Sequence, residues 1–148
     1  MEKLFTVAMD IGEQMLVSGA EVHRAEDSIK RICSHLGAAR TDVFVITSSM
    51  VVTVYMPDGK ILTQTRRILS TGTDLEKLHN LNELSRRICC SDMTADEIKA
   101  EYEKAIGCKH YPKLLENFAY GIIAAMFTLF FGGILPDAAV SFVVGFFV

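Results

Sequence analysis

The segment Gly19–Ile32 (GAEVHRAEDSIKRI) is the densest polar cluster of the chain and gathers the side chains that a solute could meet: Glu21, His23, Arg24, Glu26, Asp27, Lys30 and Arg31. His23 stands one helical turn from Glu26 and Asp27, a spacing at which an imidazole and a carboxylate could supply two ligands to a metal. The run is not HExxH, and zinc would need a further ligand from elsewhere, so no metal site is expected. Glu26 precedes Lys30 by four positions, and Asp27 precedes Arg31 by four, the favourable order for intrahelical ion pairs. A solvated helix face is therefore the plain alternative to a polar surface that meets the membrane portion or a solute. Glu21, His23, Arg24, Glu26 and Asp27 are the candidate solute-contacting residues. Asp137 joins them because it is the only charge between Phe118 and Val148. It lies either among headgroups or, if the helix there is tilted or broken, inside the membrane, where carboxylates mark ion or proton routes.

Other chemistry finds little support. No GxSxG elbow, SxxK pair or Walker loop occurs, so no catalytic residue, no cofactor and no enzymatic activity are expected. His35, His79 and His110 show no pairing with one another in sequence and read as surface or semi-buried residues. Cys33, Cys89, Cys90 and Cys108 form no CxxC pair and read as reduced thiols of a reducing compartment.

The elements that must position these residues fall into two regions. All 15 Lys and Arg of the 148-residue chain lie at or before Lys113. Residues 1–110 read as a polar α+β domain and residues 111–148 as the start of a helical membrane domain. Charge is near balance in the polar part, which gives no footprint for nucleic acid. Apolar spacing predicts helices over 3–17 and 20–36, the second with a stripe of Val22, Ala25, Ile29, Ile32, Cys33 and Leu36. Short β-branched runs at 43–47, 51–55 and 61–68, with Pro57-Asp58-Gly59 as a turn, predict a three-stranded antiparallel meander. Thr73 or Asp74 can cap a third helix whose stripe runs Leu75, Leu78, Leu81, Leu84, Ile88 and Cys89. Thr94 with Glu97 has capping-box spacing for a fourth helix, which ends at Gly107. Helices flanking a meander make an α+β domain.

Residues 118–135 carry no charge, and extending back to Lys113 gives one full span at about 113–135. A second apolar run, 138–148, is too short to span, so the sequence is expected to be truncated with further spans beyond it. Lys99, Lys104, Lys109 and Lys113 precede the first span and no Lys or Arg follows it. The positive-inside rule then leaves the N-terminal domain in the cytoplasm. Glu2, Asp10 and Glu13 interrupt any signal-peptide core.

Three stretches, SGAEVHRAEDSIKRICSHLG, VFVITSSMVVTVYMPDGKILTQTRRI and TDLEKLHNLNELSRRI, occur in the order seen in the threonine/serine exporter (ThrE) family. The chain resembles the N-terminal portion of that family from about residue 14 onward. Gly19, Ala20, Glu21, Arg24, Glu26, Asp27, Arg66, Arg67, Asp74, Leu75, Leu78, Asn82, Ser85 and Arg86 carry the resemblance. It implies a multi-pass protein of the bacterial inner membrane that exports small polar solutes by secondary transport. The solutes would be threonine and serine, or dicarboxylates such as succinate. With no nucleotide motif, proton coupling is the expected energy source. The implied partners are the lipid bilayer and a second small multi-span subunit or further copies of the chain. The alternatives from other classes are a membrane-anchored regulatory or assembly domain, and a membrane-tethered hydrolase.

Overall fold

The computed structural model describes residues 2–107 and 111–147. They form two compact units, Met1–Cys108 and Lys109–Val148. The first holds α1 (Glu2–Val17), α2 (Val22–His35), β1 (Arg40–Ile46), β2 (Ser49–Tyr55), β3 (Ile61–Arg67), α3 (Leu75–Cys90) and α4 (Ala95–Ile106). The second holds α5 (Lys113–Phe130) and α6 (Leu135–Phe146).

The polar unit has the expected α+β architecture, with an antiparallel sheet in the order β1-β2-β3. Strand alternation turns Val45, Met50, Val52 and Val54 into the core and leaves Phe44 and Ile61 exposed on the other face. β1 begins earlier than its β-branched run suggests. Arg40, Thr41 and Asp42 pair with Tyr55, Val54 and Thr53, and the Arg40 guanidinium lies 5.3 Å from the centre of the Tyr55 ring. Ladder pairing extends the strand into polar residues that intrinsic preference alone leaves out.

α1 is the central element. It packs against α2, α3, α4 and β3, so it is buried on several sides, with Phe5 and Met9 enclosed along with Ile11 and Met15. Gly12 permits the closest approach in this core: a Cβ there would stand 2.5 Å from Ile29 Cδ1 and 2.7 Å from Ile29 Cγ1. α2 buries Ala25, Ile29, Ile32 and Cys33, while α3 buries Leu81, Leu84, Ser85 and Ile88. Leu75, expected in the α3 stripe, is exposed because it sits in the helix's first turn. Asp74 caps that turn, accepting from Lys77 N–H at 2.9 Å. At α4, Thr94 and Glu97 form the capping box in both directions.

In the second unit α5 ends at Phe130, short of the expected 135. Gly132, at φ +90°, turns the chain, and the Gly133 N–H closes back on Thr128 O at 2.9 Å. Pro136 lies in the first turn of α6 rather than at the break, as suits a residue lacking an N–H. The two helices pack through small residues. A Cβ on Gly145 would lie 2.9 Å from Tyr120 O, and one on Gly121 would lie 2.9 Å from Phe142 O. Close approach at glycines is the usual packing device of helices that cannot rely on water to drive them together. Thr128 Oγ1 lies 2.7 Å from Ser141 Oγ, a polar link between apolar helices.

Replacing Gly12 with valine should destabilise the polar unit by about 1–3 kcal/mol, the usual cost of overpacking a core. Chemical denaturation followed by circular dichroism measures it. An unchanged midpoint would contradict the close α1–α2 approach.

Candidate functional site

α2 and α3 bury their apolar stripes against the core and leave a polar groove of about 360 Å³ above the contact. α2 contributes Arg24, Asp27, Ser28 and Arg31; α3 contributes Asn82, Ser85, Arg86, Cys89 and Cys90. Helical spacing explains the set. Arg24, Asp27, Ser28 and Arg31 follow one another by steps of three, one and three, which keeps them on one side of α2. Asn82, Ser85, Arg86 and Cys89 do the same on α3.

The charges in the groove are unequal. Arg31 Nη2 pairs with Asp27 Oδ2 at 2.7 Å. Among the described residues the Arg24 and Arg86 guanidiniums have no hydrogen-bond or ion-pair partner. The groove-facing amide and hydroxyl of α3 turn back on their own helix: Asn82 Nδ2 donates to Leu78 O at 2.9 Å, and Ser85 Oγ donates to Asn82 O at 2.8 Å. The donors left for a ligand are the guanidiniums and the Ser28 hydroxyl, a set matched to oxyanions.

Of the residues singled out in the sequence, Arg24 and Asp27 meet in this groove. Glu26 points elsewhere: its Oε1 accepts from the Val45 N–H at 3.1 Å, satisfying a donor on the free edge of β1. Glu21 is the N-cap residue of α2 and makes no side-chain cap bond. Glu21 and His23 are exposed and do not line the groove. Asp137 belongs to the other unit, where its Oδ2 accepts from Ile134 N–H at 3.2 Å and so caps α6. Among the described residues no three His, Cys, Asp or Glu side chains converge as metal ligands do.

A second polar cluster escaped the sequence reading. Arg66 of β3 reaches Asp10 Oδ1 at 3.3 Å and Glu13 Oε2 at 3.4 Å, both on α1. Beside it Gln64 Nε2 donates to Thr6 Oγ1 at 3.0 Å, while the buried Gln64 Oε1 has no protein partner. Desolvation, followed by the Asp10 and Glu13 charges, pushes the Tyr102 hydroxyl up to about 12. The signal was present in strand alternation. Gln64 and Arg66 share the inward face with Leu62, and an inward charge requires partners on the helix it faces.

The described thiols divide by environment; Cys108, like His110, lies outside the described residues. Burial pushes Cys33 from 9.0 up to about 12. Cys89 is raised, chiefly by burial and then by Cys90, against the opposing pull of Arg31. Cys90 is exposed at the groove.

Comparison with known proteins gives one family. The model of ThrE, described as “Putative threonine/serine exporter”, matches residues 6–148. Neither the curated proteins nor the solved structures yield a match.

Two outcomes follow from the geometry. Glu26→Ala should cost about 1–3 kcal/mol in a denaturant titration, because the Val45 N–H loses its charged acceptor, and Glu26→Gln should cost less. Cys33 should resist iodoacetamide at pH 8.5 in the folded chain while Cys90 reacts. Its folded pKa lies above the unfolded value, so the stability it contributes is full below pH 9.0 and is lost as pH rises toward about 12. Alkaline unfolding followed by circular dichroism reads that loss.

Proposed function

Starting from the threonine/serine exporter (ThrE) family, to which this chain belongs, we propose that it is a subunit of a proton-coupled secondary exporter of small polar solutes in a bacterial inner membrane. The observation that carries the reading is the extent of the family match, which takes in both the polar unit and the apolar hairpin. The solutes are threonine and serine, or dicarboxylates such as succinate. A second small multi-span subunit, or further copies of the chain, completes the path.

The apolar unit supports the membrane assignment. α5 is the one helix among the described residues long and apolar enough to cross a membrane, and only 6% of it is buried within the chain. Eighteen residues at 1.5 Å each reach about 27 Å, close to the ~30 Å hydrocarbon core. With Lys113 held at the cytoplasmic headgroups by the positive-inside rule, the Phe131–Ile134 turn emerges on the far side. Asp137 then lies near the outer headgroups, and its bond to Ile134 N–H is a helix cap in that setting. α6, at 12 residues, covers about 18 Å. The apolar sides that α5 and α6 turn away from each other are where further helices would pack, leaving the solute path to be completed between them.

A second reading is favoured by the groove between α2 and α3. In it the polar unit binds a solute and regulates the spans. Membership of the family accommodates both readings.

Transport tests the first. Proteoliposomes holding the full-length protein with its membrane partner should move labelled threonine or succinate when a pH gradient is imposed, and an uncoupler should collapse that flux. Flux indifferent to the gradient would remove proton coupling, and no flux of either solute would remove the exporter assignment.

A further inference from the structure

The groove between α2 and α3 carries more positive charge than the protein itself balances. Three guanidiniums, Arg24, Arg31 and Arg86, line it with one carboxylate, Asp27. The count is three positive charges less one negative, a surplus of two. Most of the seven arginines of the chain are neutralised where they lie. Arg66 meets Asp10 and Glu13, Arg87 meets Glu101 at 3.1 Å and Arg40 meets Asp42 at 2.9 Å. Among the described residues Arg24, Arg67 and Arg86 have no such partner, and two of these three share the groove. Holding like charges together in a concavity costs free energy unless a counter-charge enters.

We propose that this groove binds a small soluble dianion, a dicarboxylate or a phosphate, whose oxygens are held by Arg24, Arg86 and Arg31. The proposal deepens the regulatory reading and rests on it rather than on the exporter assignment. Its volume, about 360 Å³, is at the small end of ligand sites and suits a molecule of metabolite size. Guanidinium forks from facing helices can each take a carboxylate or phosphate edge in bidentate fashion. Such a ligand would bridge α2 to α3, whose apolar stripes already pack into the same core.

The charge balance also separates the ligand from a neutral amino acid. Threonine and serine bring one carboxylate and one ammonium. Among the described residues the only carboxylate lining the groove is Asp27, already paired with Arg31 at 2.7 Å. An ammonium would enter among guanidiniums without a free counter-charge. A dianion meets the surplus of two with no group left over.

Calorimetry on the full chain in an uncharged detergent and phosphate-free buffer tests this with three probes: succinate, inorganic phosphate and threonine. Alkylation of Cys90, read by peptide mass spectrometry, localises the event, because Cys90 borders the groove. At least one dianion should bind and slow Cys90 alkylation severalfold, and threonine should do neither. The double variant Arg24→Gln/Arg86→Gln should bind at least tenfold more weakly, and each single variant should be intermediate. Both side chains are exposed and unpartnered, so the variants should keep the parent's circular dichroism spectrum and melting curve. Absence of dianion binding, binding unchanged in the double variant, or equal binding of threonine would each overturn the proposal. So would Cys90 protection by phosphatidylglycerol nanodiscs in a chain that responds to neither free dianion, since the anion would then be lipid. Proton-driven flux through the double variant separates the two claims. Flux through that variant with its binding lost leaves the exporter assignment standing, and dianion binding by the parent chain without flux leaves the groove standing.

Discussion

Water's rejection of the helical hairpin α5–α6 governs the rest of the molecule. Ile122, Ile123, Met126, Phe127, Phe130, Val140, Val143 and Val144 all face outward from a unit of only two helices. Each large apolar side chain left in water forgoes on the order of 1.5–3 kcal/mol of burial. No second layer of the same unit covers them. The backbone, by contrast, is satisfied within each helix, with the turn between them closed by bonds from Gly132 and Gly133 to Leu129 and Thr128. Outward apolar side chains and inward-satisfied backbone are the two conditions a lipid-facing segment must meet. Glycines at 121 and 145 and the Thr128–Ser141 contact then hold the pair together by close packing and a hydroxyl link, without help from solvent.

That division leaves the polar unit to build its own core from modest means. It does so around α1, whose Met9, Ile11 and Met15 are fully enclosed by helices on several sides and by the sheet. Charges that fall on inner faces are tied down in pairs: Arg66 with Asp10 and Glu13 under β3, and Glu26 against the backbone edge of β1. The groove above the α2–α3 contact is the exception, since two of its guanidiniums are left unpartnered. Stability does not explain that surplus, because surface arginines without partners contribute little to it. The proposed binding of a dianion would.

The sequence made the local elements legible where one signal dominates. The Thr94–Glu97 capping box, the Asp74 cap and the meander around Pro57-Asp58-Gly59 need only a few neighbouring residues, and each was visible in them. Boundaries set by distant partners were not. β1 starts at Arg40 because of a ladder with β2, and α5 stops at Phe130 because Gly132 takes a positive φ. The same distinction holds at the site. The dense charge of α2 marked the right helix, but its residues serve different ends: Arg24 and Asp27 face α3, Glu26 turns to β1, and Glu21 and His23 remain in solvent. Arg86 and Asn82, some fifty to sixty positions away, complete the groove. They were visible in sequence only as members of a family pattern, because nothing local says that α3 lies beside α2. The Arg66 cluster was missed for the complementary reason: each member is ordinary in its own element, and only the packing of β3 on α1 makes it a unit.

The central claim, that residues of the α5–α6 hairpin reside in lipid, is tested most directly by alkaline carbonate extraction of membranes from cells producing the chain. The account predicts that the protein stays with the membrane pellet at high pH and is released by detergent. Recovery in the carbonate supernatant, as a particle that stays monodisperse without detergent, would contradict it.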